Sequence, residues 1–154
     1  MDAPLWTFLP FLGLVIAASV TGAVFRPGVW YERLDKPAWT PPDWLFPVAW
    51  FVLYILMAYG AWRVWAYAGI GPALGLWGLQ LVVNAGWSVV FFGLQSPLLA
   101  LFEVSALWLA IAATIIAFAS VNAVAAGVLI PYLVWVSFAA ALNMAIVRRR
   151  HGAV

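Results

Sequence analysis

The sequence predicts an all-α membrane protein, a bundle of five transmembrane helices. Three observations carry that prediction. Hydrophobic residues make up 68% of the 154 and charged residues only 8%, whereas a soluble domain uses about 25% charged residues. The apolar residues fall into five runs, each close to the ~20 residues with which a helix crosses the ~30 Å hydrocarbon core. Inside that core no water is available, so backbone groups must pair within their own segment, and each run is expected to be a helix.

The spans are expected at about residues 5–24, 44–68, 73–94, 98–119 and 124–147. The first follows "MDAPLW", an acidic rather than basic N-terminus, and is long enough to cross, so it reads as a retained span and not a cleaved signal. The second is entered through the connector 26–43, which ends in "KPAWTPPDW". There Thr40 can cap the helix with Pro41 at its first position and Asp43 closing a capping box, or Asp43 is itself the cap. "GIGP" at 69–72, "QSP" at 95–97 and "SVNA" at 120–123 are turn-like and separate the remaining spans. Such short links force antiparallel neighbours. Pro10, Pro47 and Pro131 are placed to kink their helices. The chain therefore reads as one domain, 1–154, with no internal repeat and a basic tail at 148–154.

Five spans put the termini on opposite sides. The connector 26–43, the 95–97 turn and the C-terminus then share one side, with Arg26, Arg33, Lys36, Arg148, Arg149 and Arg150, and the other side has only Arg63. The positive-inside bias places connector and tail in the cytoplasm and the N-terminus outside. "RRR" reads as an orientation signal and an anchor for lipid phosphates, with no nucleic-acid partner expected. Helical spans favour a bacterial inner membrane.

Chemistry is constrained as sharply. Cysteine is absent, the one histidine is His151 in the tail, and no carboxylate pair or metal-ligand cluster stands out. Thiolate metal sites are excluded, and ordinary acid–base or nucleophilic catalysis has no apparatus. No cofactor is required. Glu103 and Arg63 lie inside spans near their ends, where they are expected to snorkel or pair locally.

Of eleven tryptophans, Trp6, Trp39, Trp44, Trp62 and Trp65 fall near span ends, where an amphipathic ring suits the interface. Trp50, Trp87 and Trp135 lie deep and need partners for their N–H groups. Phe46, Trp50, Tyr54 and Ala58 share one face of the second span. Gln80, Asn84 and Ser88 share one of the third, beside Trp87 and Phe91, and Trp135, Phe138, Ala139 and Leu142 one of the fifth. Polar groups at mid-membrane face inward. Such faces either pack helix on helix or line an apolar pocket with a few hydrogen-bonding groups. Rows of small residues (Gly13, Ala17, Thr21; Gly71, Gly75; Ser137, Ala141, Ala145) permit close helix approach within the chain or in a homodimer. The connector is long for a bundle and stiffened by Pro37, Pro41 and Pro42. It leads directly into the Phe46–Trp50–Tyr54 face and reads as a lid over a pocket open to the cytoplasmic side.

"WYERLDKPAWTPPDWLFPVAWFVLYILMAYGAWRVW", "QLVVNAGWSVVFFG" at 80–93 and "PYLVWVSFAAALN" at 131–143 strongly resemble the TspO family of tryptophan-rich sensory proteins. Its animal relatives are the mitochondrial translocator protein, or peripheral-type benzodiazepine receptor. The resemblance covers nearly the whole chain. It implies a five-helix bundle, commonly dimeric, that binds porphyrins such as protoporphyrin IX and haem, and in animals cholesterol and benzodiazepine-type ligands, beneath the first connector. Carried onto this sequence it implicates Trp39, Phe46, Trp50, Tyr54, Asn84, Trp87, Phe91, Trp135, Phe138, Ala139 and Leu142. Trp50 and Trp135 match tryptophans tied to porphyrin breakdown in some bacterial members. Some members are assigned to the bacterial outer membrane. The chain departs from the animal pattern after the fifth span, where "LNMAIVRRR" has Met144 and Ala145 in place of the sterol-motif tyrosine. The functions implied are a receptor or sensor for a tetrapyrrole or other planar hydrophobic ligand, with Arg33 or Lys36 meeting propionates. The alternatives are transport of such molecules and light- and oxygen-dependent porphyrin degradation.

Overall fold

A computed structural model describes residues 3–151, His151 by its backbone only. The acidic Asp2 and the last tail residues, 152–154, lie outside the described residues.

Five helical segments are long and apolar enough to cross a membrane: Leu5–Val24, Leu45–Ala68, Pro72–Gly93, Pro97–Ala119 and Ala123–Arg150. In detail, a 3₁₀ turn, Leu5–Phe8, leads into α1, Leu9–Val24. The connector holds one helical turn, α2, Val29–Glu32. Then follow α3 (Leu45–Ala68), α4 (Pro72–Ser88, continued by a π turn Val89–Gly93) and α5 (Pro97–Ala119). The fifth crossing is split into α6 (Ala123–Gly127) and α7 (Ile130–His151).

Pro10 and Pro131 stand at breaks inside their crossings, at the change from the 3₁₀ turn to α1 and just after the split between α6 and α7. Pro72 and Pro97 open α4 and α5, and Pro10, Pro47 and Pro131 all fall in first helical turns, where a missing N–H costs nothing and the fixed φ suits the helix. Real side-chain caps come from Ser96, whose hydroxyl accepts from the Leu99 N–H at 3.4 Å, and Asn122, whose Oδ1 accepts from the Ala125 N–H at 2.9 Å. The expected cap on α3 does not form. Its N-cap is Trp44, with no side-chain bond. Thr40 instead donates to the Pro37 carbonyl at 2.7 Å, closing the proline turn on itself. Two prolines in succession prevent the chain from entering the helix at Pro41, and the start moves to Leu45.

Helix α1 lies between α3 and α4, α4 packs on α5, α5 on α7, and a thin α3–α7 seam closes the ring. The larger core cluster includes Met57, Ala61, Val64, Trp77, Val104, Leu107, Ile111, Phe118, Tyr132 and Val136. A smaller one (Tyr31, Phe91, Ala100, Leu142 and Ile146) sits at the connector end. Large apolar side chains such as Phe51, Val82, Phe102, Ile116 and Val134 point outward, as a lipid-facing surface requires. Several tryptophans expected at the interface do more. Trp62 donates to the Thr7 hydroxyl at 2.9 Å and meets Phe8 edge-on, and Trp65 contacts Phe11. Trp77, unremarkable in the sequence, is 3% exposed and donates to the Met57 carbonyl at 3.1 Å.

Glycines divide into two kinds. A Cβ on Gly60 would sit 3.1 Å from the Ala125 carbonyl oxygen and 3.2 Å from Val128, so α3 and α6 meet backbone to backbone there. Gly13, Gly71 and Gly75 have open space at the same position. Gly60→Ala is therefore expected to lower stability by about 1–2 kcal/mol, read as a lower melting temperature in detergent. Gly75→Ala, inside α4 with room for the methyl, should leave it unchanged or raise it.

Candidate functional site

The site is built where α4 changes its winding. A π turn is wider than an α turn, and at Val89–Gly93 it turns Phe91 into the bundle, 2% exposed. Phe91 stacks on Trp87 at 5.0 Å and 12° and meets Phe92 edge-on at 5.0 Å. From the connector, Trp30 and Tyr31 come edge-on to Phe91 at 5.7 and 6.2 Å. At the end of the π turn, a Cβ on Gly93 would lie 2.8 and 2.9 Å from ring carbons of Phe25, so only glycine lets that ring rest there. Phe25 directly follows α1, and this contact fixes where the connector begins.

Between this aromatic group and the middle of the bundle lies a cavity of about 750 Å³. Of the residues singled out in the sequence, Phe46, Trp50, Tyr54, Asn84, Trp87, Phe91, Ala139 and Leu142 line it. Trp39, Trp135 and Phe138 are grouped one layer behind. Trp39 meets Phe138 at 5.6 Å, Phe138 meets Trp135 at 5.8 Å, and Trp135 lies edge-on to Phe46 at 5.8 Å. They buttress the wall through Phe46. The sequence faces left out a whole side: Ser19, Thr21, Gly22 and Ala23 of α1 also line the cavity, with Arg26, Tyr31 and Asp43 of the connector. The α1 residues are small and scattered, so no periodic stripe announced them. The small-residue row in α1 was the one available signal, and only Thr21 of that row reaches the wall.

The cavity's charges also differ from expectation. Lys36 is turned away, donating to the Tyr31 carbonyl at 2.7 Å with its ammonium 4.2 Å above the Tyr31 ring. The cation on the wall is Arg26, whose Nε donates to the Ala23 carbonyl at 2.6 Å. Asp43 supplies the opposite charge. Burial first, and the Asp43 charge second, hold the Tyr31 phenol above its ordinary range, so that wall group is a neutral O–H at physiological pH. Gly22, Ala23, Pro47 and Phe51 are exposed as well as lining, which puts an opening between the end of α1 and the start of α3, on the lipid-facing side.

The floor is polar and connected. Tyr54 donates to Asn84 Oδ1 at 2.9 Å, Asn84 Nδ2 donates to the Tyr132 hydroxyl at 2.9 Å, and Tyr132 donates to Gln80 Oε1 at 2.8 Å. Asn143, also on the wall, is used up elsewhere. With its amide oriented to satisfy both groups, it donates to the Pro97 carbonyl and accepts from the Leu101 N–H, each at 3.0 Å. Arg63 pairs locally as expected, with the Tyr59 and Tyr67 hydroxyls at 3.1 and 3.4 Å. Glu103 does neither of the things expected of it. Both carboxyl oxygens are buried without a hydrogen-bond partner, and Oε1 lies 3.6 Å from where a Gly86 Cβ would be. The missing side chain of Gly86 leaves a slot between α4 and α5 that the carboxyl occupies instead of reaching the interface. Asp35 of the connector and Arg149 of α7 form an ion pair at 2.9 Å, which puts connector and tail on one side. Both are largely exposed, so the pair contributes about 0–1 kcal/mol.

Comparison with known proteins matches this sequence to one family. The profile of the TspO/MBR family covers residues 6–149. The chain belongs to the TspO/MBR family. Among curated relatives of similar sequence are a tryptophan-rich protein TspO of Chlorobaculum tepidum, 41% identical over 96% of this chain and 98% of its own. A tryptophan-rich sensory protein of Cereibacter sphaeroides is 43% identical over 92% and 89%. The human translocator protein is 37% identical over 97% and 94%. As a member of the TspO/MBR family the chain is an integral, multi-pass membrane protein, and at that coarse level its role is that of a membrane receptor or transporter.

Removing the centre of the polar floor should be costly. Asn84→Leu leaves Tyr54 and Tyr132 without their shared partner and is expected to cost about 1–3 kcal/mol, seen as a lower melting temperature in detergent. Tyr54→Phe, which leaves the Asn84–Tyr132 bond intact, should cost less.

Proposed function

We propose that this chain is a membrane receptor or sensor that takes a tetrapyrrole, a porphyrin or haem, or another planar hydrophobic molecule into the cavity beneath the connector. The observation that carries this reading is the make-up of the cavity. Its volume of about 750 Å³ falls in the range of small-molecule sites, roughly 300–1,000 Å³. Trp50, Trp87, Phe91 and Phe46 offer ring faces and edges to a flat apolar body. Arg26 at the mouth is placed for a carboxylate that stays near water, the role foreseen for Arg33 or Lys36. The connector acts as the lid through Tyr31, so its order reports occupancy. Names of relatives, sensory protein and translocator protein, agree with ligand recognition in a membrane.

A transport reading draws on a separate observation, the opening between α1 and α3 on the lipid-facing side, through which an amphipathic molecule could pass from bilayer to cavity. In the reading proposed here the protein sits in a bacterial inner membrane with connector and tail cytoplasmic, in line with the clustered basic residues. It pairs as a homodimer through the open small-residue rows around Gly13 and Gly75.

The test is a titration with protoporphyrin IX in the dark, followed by tryptophan quenching. Wild type should saturate. Trp87→Ala and Trp50→Ala should each weaken affinity by about three- to tenfold. Arg26→Ala should weaken binding of the free diacid but not of its dimethyl ester. Unsaturable quenching, the same in all variants, would mean partitioning into detergent and overturn the reading.

A further inference from the structure

The four-group chain on the cavity floor has a loose end. Gln80 is 1% exposed, yet its Nε2 has no hydrogen-bond partner among the described residues. Buried N–H groups without partners are rarer than buried carbonyls left short of a bond. The orphan is therefore informative about the chain as a whole.

Every link in this chain can run either way. Hydroxyls both donate and accept, and an amide turned over exchanges a donor for an acceptor at the same place. As drawn by the three bonds above, donation runs inward: Tyr54 to Asn84 to Tyr132 to Gln80. The Tyr54 proton is then spent, its oxygen can only accept from a ligand, and the orphan at the far end is the Gln80 NH₂. Turning over both amides reverses all three bonds without moving a ring. Gln80 then donates to Tyr132, Tyr132 to Asn84, and Asn84 to Tyr54. The orphan becomes a carbonyl oxygen, and Tyr54 presents a free O–H to the cavity.

We propose that Gln80–Tyr132–Asn84–Tyr54 is a reversible hydrogen-bond relay that lets the cavity floor offer a ligand either an acceptor or a donor, with Gln80 setting the balance between the two directions. Tyr132 and Asn84 are 1% and 6% exposed, so no lipid or solvent competes for the inner links, and the direction is decided at the two ends. A ligand N–H at Tyr54 selects the inward direction, which requires the Gln80 oxygen as final acceptor. A ligand carbonyl or other acceptor selects the outward one, which ends on an unpaired oxygen in any case and depends less on Gln80. Gln80 is thus a specificity-determining residue that never touches the ligand. The inference rests on the cavity being the binding site proposed above.

The test uses two flat tricyclic probes of similar shape: carbazole, which has an N–H donor, and 9-fluorenone, which has a carbonyl acceptor. Affinities are measured by calorimetry in detergent, with partitioning into empty micelles subtracted. Wild type is expected to bind both. Gln80→Leu should shift the fluorenone-to-carbazole affinity ratio toward fluorenone by about three- to tenfold, the span of one net hydrogen bond. Tyr132→Phe, which cuts the chain one link closer, should shift it the same way. Tyr54→Phe should bring the ratio to the same value with Gln80 present or replaced. A ratio unmoved by Gln80→Leu or Tyr132→Phe, in whichever still binds either probe, would overturn the relay and leave a static structural chain. Failure of wild type to bind either probe would overturn the cavity reading itself, and the relay with it.

Discussion

The rest of this structure depends on one constraint: polar side chains in the membrane interior have no water to bond with and must find partners within the protein. Tyr54, Asn84, Tyr132 and Gln80 come from α3, α4 and α7, and their three bonds of 2.8–2.9 Å tie those helices together at mid-bundle. The hydrophobic effect does not drive helices together in lipid, because hydrocarbon is as apolar a neighbour as leucine, so close packing and hydrogen bonds carry the association. Hydrogen bonds that cross between helices fix which faces meet. Above this bolt lies the cavity, walled by Phe46, Trp50, Trp87 and Phe91.

The connector end is organised differently. There the π turn of α4 and the rings of Trp30, Tyr31, Phe91 and Phe92 form a cluster of edge-on contacts, reinforced by Phe25 resting on Gly93. These contacts are dispersive and tolerant of small displacement, unlike the directional bonds at mid-bundle. The cavity thus lies between a roof of aromatic edges and a floor of hydrogen bonds. Arg26 and Asp43 on the cavity wall add a pair of opposite charges to this otherwise aromatic end.

Much of the fold was legible in the sequence because the bilayer filters for length and hydropathy. Five runs of about the right length became five spans within a residue or two, apart from the extended end of the last. The faces Phe46–Trp50–Tyr54 and Gln80–Asn84–Ser88, the latter with Trp87 and Phe91 beside it, were readable from four-residue spacing. The α1 wall was not, since Gly22 and Ala23 line the cavity by what they lack. Nor was the entry to α3, where local capping rules favoured Thr40 or Asp43 and the double proline delayed the helix to Leu45. Glu103 escaped as well, because its lodging depends on Gly86 in another helix.

By itself the sequence determined that the chain is a membrane protein, the number of crossings, their antiparallel order and the residue types available to a cavity. These are properties of single segments, governed by hydropathy, period and backbone pairing. Only the tertiary structure decided that Trp39, Trp135 and Phe138 stand behind the wall, that Arg26 and not Lys36 faces the cavity, and that Tyr132 joins Asn84 to Gln80. Those outcomes depend on how each helix is rotated and how α4 unwinds at Val89–Gly93. Rotation is settled by contacts between segments far apart in the chain, which no single stretch of sequence contains.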